Sequence, residues 1–205
     1  RRLGIKIDII TGTSIGSING ALFVAGDYLK AKKLWMKVST DNLFDYDFKN
    51  PKDYQKVAKE MIENKGLKFD KAEKFLEEII NEDKIRKSKM DYGLVTVNLK
   101  SRVPKMLTKD QIPKGKLISY IIASSTCFPA IEMKEIDGEY YIDGGYYDNL
   151  PINLALDMGA DEIIAVDLSA IGIKQKVKDK NIKIDYIKNN NKQMFTLNFD
   201  TEVAK

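Results

Sequence analysis

The sequence predicts an α/β sandwich, because short apolar strands are separated by helices along most of the chain. The chain opens with a strand, a tight glycine turn and a helix. Near its end, residues 163–168 follow another helix and have the apolar pattern of a buried parallel strand. The 205 residues, 43% of them hydrophobic and 31% charged, are enough to bury the core of one globular domain. We therefore expect a single domain over residues 1–205, cut at both ends from a longer protein.

The first strand, turn and helix are predicted from alternation and glycine spacing. Isoleucines at positions 5, 7 and 9 alternate with Lys6 and Asp8, which is typical of a strand with one buried face. Residues 12–16 then form a tight turn, and residues 15–26 continue as a helix. Glycines at positions 12, 16 and 20 leave one face without side chains, so we expect the helix to lie very close to the sheet.

Residues 30–90 are predicted to form a helical insertion, or cap, on the same domain after that first helix. Two helices there carry apolar stripes, one from Tyr54 to Ile62 and one from Ala72 to Ile80. Asp70 followed by Glu73 resembles a capping box that would open the second helix. The lysines and glutamates between the stripes favour a solvated face, and a lipid-facing or substrate-gating cap is the alternative.

The second half of the chain is predicted to supply the rest of the sandwich. Apolar runs and turn signals predict a strand at 94–99, a helix at 117–123, a hairpin over 132–142 around Asp137-Gly138, a sharp turn at 143–145, a helix at 151–159 and a strand at 163–168. Residues 174–192 are polar and rich in asparagine, so we expect them to form a loop.

Composition excludes several classes of function. A net charge of +4 falls short of the basic surface that nucleic-acid-binding proteins carry. The one cysteine, Cys127, permits no internal disulfide or CxxC site, and a sequence without histidine has no Ser-His-Asp, Cys-His or HExxH chemistry. No apolar run reaches the ~18 residues of a membrane-spanning helix. We expect a cytoplasmic protein, with peripheral contact to membranes left open.

Ser14 is the candidate nucleophile. Gly12-Thr13-Ser14-Ile15-Gly16 is a G-x-S-x-G motif that follows a predicted strand and opens a helix, the context in which such a serine is exposed on a strained turn. The flanking glycines Gly12 and Gly16 leave room for that turn. The amide of Ile15 and the helix dipole would face a developing oxyanion. The alternative is a serine that caps an ordinary helix.

A serine nucleophile needs a base, and without histidine that base has to be a carboxylate or a lysine. Asp143 is the best candidate, since it ends an apolar stretch and is followed by Gly144 and Gly145, whose lack of side chains lets another backbone approach. Partial burial would have to raise its pKa above the ordinary value of about 3.9. The alternative is an ordinary Asp-Gly hairpin. The acids with which the base could be confused are Asp8, Asp148 and Asp167.

Three segments together resemble the patatin-like phospholipase family: residues 12–27, which begin GTSIG, residues 123–130 (ASSTCFPA) and residues 141–152 (YIDGGYYDNLPI). The resemblance implies a three-layer α/β/α sandwich with a mostly parallel central sheet. It also implies a lipid acyl hydrolase with a Ser-Asp dyad, in which Ser14 is the nucleophile, Asp143 is the base and Gly144 completes the second motif. A lipid or membrane-surface ester is the implied substrate, and neither cofactor nor metal is implied.

The family also carries a Gly-Gly-Gly-x-Arg/Lys-Gly loop upstream of the elbow, whose amides complete the oxyanion hole. Residues 1–11 contain a single glycine, Gly4, so we expect residues upstream of Arg1 in the natural protein to supply that loop. Two other functions stay open. One is a catalytically inactive lipid-binding or interaction module, and the other is a phosphate site at the helix start within residues 12–20.

Overall fold

The computed structural model describes residues 4–38, 43–45, 51–168 and 172–188. Its strands are β1 Ile9–Thr13, β2 Asp91–Asn98, β3 Pro104–Thr108, β4 Lys134–Ile136, β5 Glu139–Asp143, β6 Glu162–Asp167 and β7 Lys183–Lys188. Its helices are α1 Ile15–Val24, α2 Tyr28–Trp35, α3 Pro51–Glu63, α4 Asp70–Ile79, α5 Glu82–Lys87, α6 Leu117–Ala123 and α7 Ile152–Asp157, and a 3-10 turn, Gly144–Tyr146, follows β5. The helices expected at 15–26, 117–123 and 151–159 are confirmed as α1, α6 and α7.

Five strands form a mixed sheet. β1 pairs with β2 in parallel, whereas the β2–β3, β2–β5 and β4–β5 pairs are antiparallel. β6 and β7 form a separate parallel pair. The expected mostly parallel sheet is therefore not what the described residues form. The reason is that short turns connect β2 to β3 and β4 to β5, and such turns join antiparallel strands.

Helices cover both faces of β2. The Tyr92 hydroxyl donates to the Ser17 carbonyl of α1 at 2.8 Å. At Gly93, which points to the other face, a Cβ would lie 3.0 Å from the Leu154 side chain of α7. Because successive side chains of a strand point to opposite faces, α1 and α7 lie on opposite sides of the sheet here. The arrangement puts the β1–α1 turn at the end of a strand that is packed on both sides.

Among the described residues, the helices α2 to α5 lie between α1 and β2 along the chain. Of the two apolar stripes expected there, the second is buried, with Ala72 and Leu76 in the main core. The first is not, because Ile62 is 81% exposed and Tyr54 54% exposed. The expected capping box is also wrong: Asp70 is the first residue of α4 itself, and no side chain caps that helix start.

Two strands lie where the sequence predicted none. β7 falls inside the stretch 174–192 that was expected to be a loop, of which residues 189–192 lie outside the described residues. β3 begins at Pro104, which needs no ladder hydrogen bond from its own nitrogen at a strand start. The hairpin around Asp137-Gly138 is confirmed as β4 and β5. Within the described part of the chain, no helix has both the length and the apolarity needed to span a bilayer.

Candidate active site

Ser14 lies on the turn between β1 and α1. Its backbone has φ 55° and ψ −129°, a conformation that costs a non-glycine residue energy and is typical of strained functional turns. The carbonyl of Ser14 accepts hydrogen bonds from the Ser17 amide at 2.8 Å and the Ser17 hydroxyl at 2.7 Å. These bonds begin α1 directly after the strained residue, so the amides of Ile15 and Gly16 belong to the first helical turn, where no intrahelical acceptor exists.

The glycines of the motif differ in their roles. A Cβ on Gly12 would overlap the Gly16 carbonyl and lie 2.7 Å from the Ser17 nitrogen, so Gly12 is required for the close approach of α1 to β1. A Cβ on Gly20 would lie 3.0 Å from Ile10. A Cβ on Gly16 would meet nothing within 4 Å. The expected side-chain-free stripe is therefore correct at two of its positions and wrong at Gly16, which faces open space.

Ser14 and Asp143 meet because two strands run toward each other along one edge of β2. β1 is parallel to β2 and ends with Thr13 opposite Val95, and β5 is antiparallel and ends with Asp143 opposite Thr96. β3 pairs with the same stretch of β2. Since a residue pairs with one strand on each side, β3 takes one edge, and β1 and β5 share the other. Their carboxyl ends therefore face each other one residue apart along β2.

The Asp143 carboxylate is buried beside the Ser14 hydroxyl. The residue is only 5% exposed, and its Oδ1 accepts a hydrogen bond from the Gly145 amide at 2.7 Å. Burial raises the pKa of Asp143 to about 6, and hydrogen bonds from the Ser14 side chain and the Gly145 amide oppose the rise. A carboxyl with this pKa is mostly ionised at neutral pH and is a stronger base than an exposed aspartate.

Gly144 allows this junction to close. A Cβ there would overlap the Val95 carbonyl oxygen and would lie 2.9 Å from Thr13 Cγ2. Thr13 also donates its hydroxyl to the Asp148 carbonyl at 2.7 Å, and Thr11 donates to the Pro151 carbonyl at 3.0 Å. The loop after Asp143 is thus bound to β1 at two points. No local signal in the sequence marks these threonines, because each bond joins residues more than 130 positions apart.

The acids that could have been confused with the base lie in other environments. Asp148 is buried, and its Oδ1 accepts the amides of Leu150 and Gln175. Asp8 is exposed and forms an ion pair with Lys6. The carboxylate of Asp167 is held by the Lys174 ammonium at 2.7 Å. None of these three hydrogen-bonding sets includes Ser14.

Ser14 and Asp143 line a cavity of about 1750 Å³. Part of its wall is apolar and comes from the cap region and α1: Ile18, Trp35, Val38, Phe44, Phe69, Phe75 and Leu76. Another part comes from β1, the segment just before it and β6: Ile7, Ile9, Ile164 and Val166. Such a lining suits hydrocarbon chains better than charged ligands.

Cys127 and Tyr146 also line the cavity close to Asp143. Cys127 is half-buried, and burial together with the charge of Asp143 raises the pKa of its thiol. A raised pKa keeps the thiol protonated and poorly nucleophilic. The Tyr146 hydroxyl donates to the carbonyl of Phe128. The thiol is therefore a weaker candidate nucleophile than the Ser14 hydroxyl.

Comparisons with known proteins agree on one family. A family model described as patatin-like phospholipase matches residues 1–156. The chain is 31% identical over 173 residues to lysophospholipase nte1 of Aspergillus terreus, which covers 82% of this chain and 10% of that protein. It is 29% identical over 175 residues to lysophospholipase NTE1 of Candida albicans, covering 83% of this chain and 12% of that protein.

An animal relative matches a similar share of the chain. Patatin-like phospholipase domain-containing protein 7 of Mus musculus is 27% identical over 171 residues, covering 82% of this chain and 12% of that protein. The chain therefore spans about a tenth of the length of the curated relatives that it matches. Because the family model covers more than half of the residues, the chain belongs to the patatin-like phospholipase family.

Proposed function

We propose that this chain is a serine lipid acyl hydrolase of the phospholipase A or esterase type, which forms an acyl-enzyme on Ser14 with Asp143 as base. The observation that carries the proposal is the contact between the Ser14 hydroxyl and a buried carboxylate at the wall of an apolar cavity. The family and the relatives named lysophospholipase support a lipid or membrane-surface ester as the substrate.

The first half of the reaction acylates Ser14. The hydroxyl oxygen attacks the ester carbonyl carbon while Asp143 takes the hydroxyl proton, and the carbonyl oxygen becomes an oxyanion. In this proposal the amide of Ile15, at the start of α1, donates to that oxyanion. When the tetrahedral intermediate collapses, the bond to the alcohol oxygen breaks, and neutral Asp143 returns the proton to the leaving alkoxide.

The second half releases the acyl chain. Water attacks the acyl carbonyl carbon and gives its proton to Asp143, and the proton then passes to Ser14 Oγ as the bond from that oxygen to the acyl carbon breaks. In a Ser-His-Asp site an imidazolium balances the oxyanion, whereas here the base is neutral when the oxyanion forms. Amide donors and the dipole of α1 therefore carry more of the stabilisation of negative charge than they do beside a histidine.

We expect a fluorophosphonate probe to label the full-length protein at Ser14. The probe mimics the tetrahedral intermediate, so labelling requires an activated serine. Peptide mass spectrometry locates the label, Ser14→Ala should abolish it, and Ser101→Ala, on the exposed turn between β2 and β3, should not. An unlabelled protein that binds fatty acid and turns over no p-nitrophenyl ester would contradict the proposal and favour the lipid-binding alternative.

We also expect kcat/KM to rise with pH and to reach half of its maximum near pH 6. The base works only when it is ionised, and burial raises the pKa of Asp143 to about 6. Below that pH, kcat/KM should fall about tenfold per pH unit. The measurement is hydrolysis of a soluble short-chain ester between pH 4.5 and 8.5.

Glu132 is another carboxyl with a raised pKa, and it serves as the control. Burial raises the pKa of Glu132 and of Asp148. Glu132→Gln should leave the midpoint of the pH profile in place, because this carboxylate binds the Phe69 amide and not Ser14. A midpoint that moves in Glu132→Gln, or a wild-type profile that is flat between pH 5 and 8, would argue against Asp143 as the base.

A further inference from the structure

Ser124 connects the strand ends that carry Ser14 and Asp143. It is fully buried and follows the last residue of α6. Its hydroxyl accepts a hydrogen bond from the Ser14 amide at 3.0 Å and donates one to the Val95 carbonyl at 2.7 Å. Its own carbonyl accepts the Gly144 amide at 3.4 Å. One residue thus binds the backbone of the nucleophile, of β2 and of the residue after the base.

The strained turn explains why the Ser14 amide needs a side-chain partner. β1 ends at Thr13, opposite Val95, and β5 occupies the same edge of β2 from Thr96 onward. With φ at 55°, Ser14 leaves the strand path, so its amide no longer follows the ladder with β2. A buried amide without an acceptor would be costly. The Ser124 hydroxyl supplies that acceptor, and it donates its own proton to the Val95 carbonyl.

We propose that Ser124 is a positioning residue, which holds Ser14 within reach of Asp143 by binding the amides of Ser14 and Gly144. This inference rests on the proposed function. Ser124 does not border the cavity, although Ser125 and Cys127 do, so it acts through the backbone of the elbow and has no contact with substrate. Within the segment 123–130, Thr126 binds the other side of the dyad, because its carbonyl accepts the Asp143 amide at 2.9 Å.

The test compares Ser124→Ala with Ser124→Thr in the full-length protein. Ser124→Ala removes the acceptor of the Ser14 amide, so we expect kcat and the rate of fluorophosphonate labelling to fall together, by as much as about 10²-fold, as misplacement of reacting groups does. KM for a soluble short-chain ester should change little, because no substrate contact is lost. Ser124→Thr keeps the hydroxyl and should restore part of kcat.

A matched control separates positioning from loss of stability. Thr126 is equally buried, and its hydroxyl donates to the Ala123 carbonyl at 3.0 Å, lies 3.4 Å from the Tyr141 carbonyl and has no bond to Ser14. Its own carbonyl accepts the Asp143 amide at 2.9 Å, a backbone bond that Thr126→Val retains. Thr126→Val should lower Tm about as much as Ser124→Ala while keeping most of kcat. Hydrogen exchange of the Ser14 amide gives a readout other than activity, and it should accelerate only in Ser124→Ala.

The outcomes distinguish this inference from the proposed function. A labelled, active wild type with a folded Ser124→Ala variant that keeps full kcat would overturn the positioning role alone. Equal losses of kcat and of Tm in Ser124→Ala and Thr126→Val, with unchanged hydrogen exchange of the Ser14 amide in both, would also overturn it, because both losses would then follow stability. A wild type without labelling and without turnover would overturn the proposed function, and the positioning role with it.

Discussion

Replacing Asp143 with asparagine should lower ester hydrolysis by about 10³-fold while making the folded protein more stable at pH 8. Activity falls because an amide cannot take the proton of Ser14. The amide keeps the geometry, since its oxygen can still accept the Gly145 amide and its nitrogen can donate to Ser14 Oγ. Loss of the base is therefore separated from loss of the fold.

The gain in stability follows from the direction of the pKa change. The pKa of Asp143 rises from an ordinary value of 3.8 to about 6 in the folded chain, so the folded state binds the proton more tightly than the unfolded state. Ionising Asp143 therefore lowers the free energy of unfolding, by about 3 kcal/mol in all. This cost is absent below about pH 4, grows between pH 4 and 6 and is complete above pH 6. Asparagine has no such cost at any pH.

Urea unfolding at pH 4 and pH 8, together with ester hydrolysis, measures both effects. The stability difference between Asp143→Asn and wild type should be large at pH 8 and small at pH 4. Asp157→Asn is the matched control for activity, because that carboxylate is partly exposed and paired with Lys178 on the surface, and it should leave ester hydrolysis unchanged. An Asp143→Asn variant that is active, or that is less stable than wild type at pH 8, would refute the assignment.

The candidate site could be predicted from sequence where its signals are local. The elbow at Ser14 is a strand, a turn and a helix in direct succession, and the Asp143-Gly144 turn follows an apolar strand. The meeting of these two segments could not be predicted from spacing, because it depends on β1 and β5 sharing one edge of β2. Ser124 escaped notice for the same reason, since its partners lie 110 and 29 positions away in the chain.

Strand direction and helix environment were predicted less well. An apolar run such as β2 looks the same whether its neighbours are parallel or antiparallel, so the mixed sheet could not be foreseen from composition. β7 has the sequence Lys-Ile-Asp-Tyr-Ile-Lys, in which apolar and polar residues do not alternate strictly, and it is mostly exposed, which leaves only a weak strand signal. The periodicity from Tyr54 to Ile62 predicts a helix with an apolar face, but periodicity does not say what covers that face.

The head-on junction of β1 and β5 also makes Gly144 a point where the fold tolerates no side chain. Gly144→Ala should destabilise the protein by about 3 kcal/mol or more, because the new Cβ would overlap the Val95 carbonyl oxygen and lie 2.6 Å from its carbon. Both are backbone atoms of β2, which is held by β1, β3 and β5. Since no flexible side chain can move aside, β5 has to shift, and Asp143 shifts with it away from Ser14.

Two other glycines of the site provide the controls for this substitution. A Cβ on Gly145 would lie 3.1 Å from the Asp143 carboxylate and 3.3 Å from the Asn149 side chain, both of which can adjust, so Gly145→Ala should cost much less. Gly16→Ala fills open space in the first turn of α1 and should be neutral or stabilising by up to about 1 kcal/mol. Urea unfolding measures the free energy of unfolding of the three variants and so gives their order of stability. Gly144→Ala should lose ester hydrolysis as well as stability. A Gly144→Ala variant as stable as Gly145→Ala would mean that β5 does not abut β1 at this point, and the contact between Ser14 and Asp143 would lose its structural basis.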